Sequence, residues 1–137
     1  MLLDRFATHR LAISRESAAD LYGERWKTDS RCTILHYGID LTRFAIPDAR
    51  LSMRQQLHID ENAFVIGHVG RMVQVKNHQF LVRVAKALHS FLPNLMVLLV
   101  GDGPLRTEIE RSAEQEGLGS IFVFAGERSD IPPLLHA

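Results

Sequence analysis

The sequence lacks the features that mark several large classes of protein. A single cysteine, Cys32, excludes an internal disulfide, which is typical of a reducing compartment, and its apolar neighbours predict a buried thiol. Sixteen Lys and Arg balance sixteen Asp and Glu, so no net charge attracts nucleic acid. The longest apolar run, Leu95 to Val100, is too short to span a membrane, and residues 1–10 lack a signal-peptide apolar block. We therefore expect a cytoplasmic protein with a small-molecule partner.

Short apolar runs alternate with amphipathic segments along most of the 137 residues. Ser14 is placed to cap a helix that follows the first run, and Asn77 is placed to cap a later helix. Runs that are apolar on both faces and joined by helices predict a parallel sheet covered on both sides, the α/β arrangement of a Rossmann-like half-domain. The predicted strands are 11–13, 32–36, 64–69, 95–100 and 121–124, of which 64–69 is predicted to be buried.

The loop Gly70–Asn77 carries the strongest chemical signal. It places Arg71 and Lys76 after a predicted strand and just before the first turn of a helix. Free backbone amides, the helix dipole, an Arg fork and a Lys charge at this point favour an anion, most naturally a diphosphate. The alternative is two solvated surface cations.

A second loop, Gly101-Asp102-Gly103-Pro104, follows the next predicted strand. Two glycines there would let a ligand approach the backbone. The loop is not the dinucleotide fingerprint, because Arg106 stands where the third glycine belongs. A tight turn without a ligand is the alternative.

Taken in order, these loops and several shorter motifs resemble the family 4 glycosyltransferases, also described as glycosyl transferases group 1, whose fold is GT-B. Tyr37 stands where that family usually has Asn, but the glycine of the turn is kept. The matching stretches are Ile13-Ser14, His36-Tyr37-Gly38-Ile39-Asp40 with Phe44, Gly67-His68-Val69-Gly70-Arg71 with Lys76-Asn77, Val100-Gly101-Asp102-Gly103-Pro104-Leu105-Arg106, and Phe124-Ala125-Gly126.

The resemblance implies an incomplete GT-B fragment. Residues 1–46 would end an N-terminal acceptor domain, and 63–137 would form the first half of a C-terminal nucleotide-sugar-binding domain. Residues 47–62, polar and irregular apart from a possible short helix, are the predicted interdomain linker. A paired-glutamate signature of the family would come after Ala137, so the fragment alone is expected to be inactive or nearly so.

The resemblance also assigns a function and its residues. The donor would be a UDP-sugar or GDP-sugar, the acceptor a saccharide or lipid-linked molecule, and the transfer retaining, as in polysaccharide biosynthesis in the cytoplasm or at the inner membrane face. The diphosphate of the donor would contact Gly70, Arg71, Lys76 and Asn77. The nucleotide pocket would be lined by Gly101, Asp102, Gly103 and Pro104. No metal or other cofactor is expected, and no catalytic residue is assigned.

Two other functions stay open. One is a non-catalytic remnant or phosphate-binding module. The other is an NAD-dependent oxidoreductase with Gly101 to Gly103 as its phosphate loop and Glu127 as its ribose-binding acid. The seven histidines show no metal-ligand spacing, so packing or surface roles are expected for them, with His68 the least settled.

Overall fold

A computed structural model describes residues 6–47 and 49–137. The chain divides into two compact units, one ending at Leu41 and one running from Thr42 to Ala137. The first five residues, part of the segment without a signal-peptide block, and Asp48 of the predicted linker lie outside the described residues. Among the described helices, none combines the length and the apolar character needed to cross a bilayer.

The first unit is a small parallel strand pair with a connecting helix. Strand β1 (Arg10–Ala12) pairs with β2 (Cys32–Ile34), and α1 (Arg15–Tyr22) with a 3-10 turn (Glu24–Lys27) joins them. Ser14 caps α1 as predicted, because its Oγ accepts from the Ser17 N–H at 3.1 Å. The prediction of a buried Cys32 is wrong: it is half-buried, since β2 has one neighbouring strand among the described residues.

The second unit is a three-stranded parallel sheet with helices on both sides, as predicted. The strand order is β3-β4-β5, with β4 in the centre. The elements are α2 (Ala49–Gln56), β3 (Phe64–Val69), α3 (His78–His89), β4 (Leu95–Val100), α4 (Arg106–Gln115), β5 (Phe122–Gly126) and α5 (Ile131–Leu134), with 3-10 turns at Leu41–Phe44, Gln74–Lys76 and Gly119–Ile121. The fold is α/β and Rossmann-like.

Strand β4 is central to the core because its side chains are buried on both faces. Val97 and Leu99 pack with α3 and α4 on one face. Leu98 and Val100 pack with α2 and α5 on the other. This double burial explains why β4 is the most uniformly apolar run of the sequence.

The predicted burial of β3 is wrong. Strand β3 is not buried: Phe64 is 52% exposed, because β3 pairs with β4 on one side only within the described chain. On α3, Val82 is buried; just past the helix, Leu92 packs against the core and Phe91 is 80% exposed.

The predicted linker contributes to the second unit. Met53 of α2 is buried against β4 and α5. The buried Arg54 donates through Nη1 to the carbonyls of Asp60, Glu61 and Ala63 at 2.8, 2.8 and 3.0 Å. These bonds organise the turn that leads into β3. Whether the segment serves as a hinge stays a prediction.

Candidate functional site

The loops that follow β3, β4 and β5 meet at the carboxyl edge of the second unit's sheet, where ligands of parallel α/β sheets bind. Backbone hydrogen bonds join them. The Gly70 N–H donates to Val100 O at 2.9 Å, and the Gly101 N–H donates to Gly126 O at 2.7 Å. The Met72 N–H donates to Asp102 O at 2.9 Å, so the loop after β3 is tied to the loop after β4. Met72 itself is fully buried in the core, which anchors its loop.

The two glycines of the second loop allow this close approach. Gly101 has φ of +128°, and a Cβ on it would lie 2.3 Å from Gly70 O. A Cβ on Gly103 would lie 2.6 Å from Met72 O. Neighbouring backbone therefore occupies the space that the missing side chains leave, which differs from our expectation that this space admits a ligand. Ligand contact by Gly101, Asp102, Gly103 and Pro104 stays a prediction.

A cavity of about 360 Å³ opens at this edge, and all three loops contribute to its lining. Its volume lies within the range of small-molecule sites. The lining residues are Arg71, Gly101, Asp102, Gly103 and Glu127.

Arg71 and Lys76 reach this region differently. Arg71 lines the cavity directly. Lys76 is not among the lining residues; its Cδ lies 3.8 Å from the position of a Cβ on Gly70. That the two cations hold one diphosphate stays a prediction.

Asn77 stands at the N-cap position of α3 but does not cap it with its side chain, so that expectation is wrong. It adopts the left-handed conformation, with φ of 50° and ψ of 46°, after the 3-10 turn. Its carbonyl accepts from the Phe80 N–H at 3.0 Å. The predicted position of the helix start is nevertheless confirmed, and it places the positive end of the α3 dipole at the end of the cationic loop.

A carboxylate on the cavity wall is held in place by its neighbours. Asp102 Oδ1 accepts from the Gly103 N–H at 2.6 Å, and its Oδ2 accepts from Arg106 Nη1 at 3.1 Å. These two hydrogen bonds lower the pKa of Asp102 below its ordinary value. Arg106 also donates to Glu110 at 2.8 Å and lies over the Phe124 ring, 5.8 Å from its centroid. Asp102 is therefore a fixed, ionised acceptor.

The family of glycosyl transferases group 1 matches residues 49–137, which is more than half of the chain. The chain belongs to this family.

Among the relatives of this chain is the putative glycosyltransferase EpsF of Bacillus subtilis. It is 34% identical over 132 residues, covering 95% of the chain and 34% of the relative. A GDP-mannose-dependent α-(1-6)-phosphatidylinositol monomannoside mannosyltransferase of Mycolicibacterium smegmatis is 31% identical over 102 residues, covering 73% of the chain and 26% of the relative. The chain spans about a third of the length of such relatives.

The solved structures agree. Anabaena HepE in complex with UDP and glucose superposes with a TM-score of 0.83 at 26% identity, covering 98% of this chain and 37% of that one. These findings confirm both the family resemblance and the GT-B, Rossmann-like fold. The oxidoreductase alternative does not fit this family.

Some features of the site were not predicted from the sequence. Glu127 entered only through the oxidoreductase alternative, yet it lines the cavity beside Arg71. The ion pair between Arg106 and Asp102 was also not predicted, although the four-residue spacing at a helix start could have indicated it.

In the parts of the chain that the structure describes, no three His, Cys, Asp or Glu side chains lie close enough to share a metal ion. Independence of a metal stays a prediction.

Proposed function

We propose that this group 1 glycosyltransferase chain binds the diphosphate of a UDP-sugar or GDP-sugar, for transfer of the sugar to a saccharide or lipid-linked acceptor with retention of anomeric configuration. One observation carries the proposal. Arg71 lines the cavity at the carboxyl edge of a parallel sheet, in the loop that leads into α3. That is the position at which such sheets bind nucleotides.

The chemistry of the leaving group fits this arrangement. Negative charge builds on the nucleoside diphosphate as the sugar departs, and fixed donors aimed at that charge accelerate transfer. We assign this role to the Arg71 fork, the Lys76 ammonium and the first amides of α3, which would stabilise that charge without a metal. The backbone bonds of Gly70 to the end of β4 and of Met72 to the loop after β4 hold this loop in place before a ligand binds.

The two carboxylates of the cavity restrict the orientation of the donor. Asp102 and Glu127 line the same cavity as Arg71, and anions repel a diphosphate. We place the phosphates beside Arg71 and hydroxyl groups of the donor, which donate hydrogen bonds, toward the carboxylates.

The relatives leave the nucleobase open. HepE was solved with UDP, with UDP-glucose and with UDP and glucose. The mycobacterial relative is named as GDP-mannose-dependent. The proposal therefore keeps both nucleotides, and binding has to separate them.

Calorimetric titration of the chain with UDP and GDP tests the proposal. We expect Arg71→Ala and Lys76→Ala each to weaken diphosphate binding by about 1 to 3 kcal/mol, the cost of a lost charge-assisted hydrogen bond. Arg111→Ala is the matched control, because Arg111 is an exposed arginine on α4 away from the three loops. Its affinity for the nucleotide should equal that of the wild type. A chelator should leave the affinity of the wild type unchanged, because the proposed site holds no metal.

Three results would count against the assignment. Equal affinities in the wild type and both loop variants would remove Arg71 and Lys76 from the site. No heat with either nucleotide would favour a non-catalytic remnant. Loss of binding on chelation would contradict the metal-free site.

A further inference from the structure

Two imidazole rings meet beneath the loop that carries the cations. His68 lies near the end of β3, and His78 is the first residue of α3. Their ring centroids are 4.5 Å apart with an interplanar angle of 65°, an edge-to-face contact. The contact therefore joins the two elements that loop 70–77 connects.

The pair also touches the loop itself. A Cβ on Gly70 would lie 3.1 Å from His68 Cε1 and 3.8 Å from Lys76 Cδ. The imidazole of His68 and the stem of Lys76 therefore meet at Gly70, where the loop leaves the strand. Arg71 is the next residue along the chain.

The surroundings of both rings favour the neutral imidazole. Burial, followed by the charge of Lys76, lowers the pKa of His68. Burial, followed by the neighbouring His68, lowers the pKa of His78. His78 is 3% exposed, so a proton there would create a buried charge.

We propose that His68 and His78 clamp the two ends of loop 70–77 and so position Arg71 and Lys76 for the donor's diphosphate. The proposal rests on the proposed function for its consequence, diphosphate binding, but not for the clamp itself. Neither histidine has to touch the ligand, and both act through the loop.

The clamp works by the shape of the rings. Both nitrogens of His78 and Nδ1 of His68 are buried without a hydrogen-bond partner. Edge-to-face packing does not need those nitrogens. A phenylalanine at position 78 should therefore preserve the clamp, whereas an alanine should release it.

Amide hydrogen exchange on the ligand-free chain tests the clamp directly. In His78→Ala we expect the amides of residues 71–77 to exchange about tenfold faster, while those of β4 keep their wild-type rates. His78→Phe should restore slow exchange. His89→Ala is the matched control, since His89 is a half-buried imidazole at the far end of α3.

Titration with UDP and GDP tests the consequence. His78→Ala should raise the Kd of whichever nucleotide the wild type binds by about tenfold, which a small loss of preorganisation suffices to cause. His78→Phe should return it to the wild-type value. If His78→Ala does not fold, His68→Ala takes its place in both measurements. That variant removes the half-buried ring of the pair and leaves the buried one.

The outcomes separate the two ideas. Wild-type exchange across 71–77 in a folded alanine variant would overturn the clamp, whatever the nucleotide does. Faster exchange of β4 and 71–77 together would also overturn it, because the histidine would then be a general core residue. Faster loop exchange with no nucleotide binding in the wild type would uphold the clamp and reject the proposed function.

Discussion

The two units of the chain are stabilised by different interactions. In the second unit, Leu99 and Ile109 are buried in a core that two helices and the sheet share. In the first unit, Ala12 and Ala18 are the buried apolar residues among those described, while Leu11 and Leu35 are exposed. Burial of large side chains dominates the second unit and contributes little to the first.

Directed polar contacts dominate the first unit. Asp29 accepts from Arg10 at 2.7 Å and from Arg31 at 2.8 and 3.0 Å. Tyr22 donates to Leu11 O at 2.9 Å and lies under the Arg10 guanidinium. The comparison shows why the cationic loop belongs to the second unit: fixed donors need a rigid support, and the support here is a buried core.

Truncation of a core leucine should break this contrast most strongly. Leu99→Ala removes a fully buried side chain from β4 and should lower the free energy of unfolding by about 2 to 5 kcal/mol. Leu35→Ala, in the first unit, removes a side chain that is 60% exposed and should change it by about 0.5 kcal/mol or less. Urea unfolding followed by far-UV circular dichroism measures both.

The aromatic residues make the units separately visible. Trp26 is the single tryptophan, and both tyrosines, Tyr22 and Tyr37, also lie in the first unit. Indole fluorescence therefore reports the first unit, and amide exchange in β4 reports the second. Equal losses from Leu99→Ala and Leu35→Ala would remove the distinction between the units.

A buried cation gives the next largest effect. Arg54→Ala removes one donor from each of three carbonyl groups, those of Asp60, Glu61 and Ala63, which should cost about 2 to 4 kcal/mol of unfolding free energy. Asp60 O still accepts from the Ala63 N–H, and Glu61 O still accepts from Arg50. Arg50→Ala is the control on the same helix: Arg50 is exposed and donates to Glu61 O at 3.0 Å.

The expected cost of the control is about 0.5 kcal/mol. Thermal unfolding with both variants measures the difference. A stability gain in Arg54→Ala would show that desolvation of the cation, which lowers the pKa of Arg54, outweighs its bonds.

The fold was largely predictable because its signals are local. The apolar runs at β4 and β5 and the Ser14 cap each follow from neighbouring residues. Exposure was not predictable in the same way. The apolar side chains of β3 predicted burial, but its position at the edge of the described sheet depends on which strands are its neighbours.

The site was predictable in its loops and not in its contacts. Gly70 to Asn77 and Gly101 to Pro104 do follow strands, because strand ends are local features. Gly101 leaves room for the carbonyl of Gly70, and this could not be predicted locally because Gly70 lies 31 positions away in the sequence. The meeting of His68 with His78 likewise depends on how a strand and a helix pack, which no spacing rule states.

The smallest expected effect concerns the ion pairs of the first unit. Hydrogen bonds from Arg31 lower the pKa of Asp29 from 3.8 to about 2. A carboxylate whose pKa is lower in the folded state than in the unfolded state stabilises the fold at any pH above the unfolded-state pKa. For Asp29, that stabilisation disappears as the pH falls from 3.8 through about 2. Asp29→Asn should therefore lower the stability of the first unit at neutral pH. The variant should also no longer lose stability as the pH falls through that acid window.

Trp26 fluorescence during acid titration measures this change, with amide exchange in β4 as the reference for the second unit. Asp20→Asn is the control, because it removes an exposed carboxylate from α1 and leaves Asp29 intact. The effect should be modest and shrink with added salt, since ion pairs near solvent are screened. An acid transition that Asp29→Asn leaves unchanged would mean that packing, and not its ion pairs, holds the first unit together.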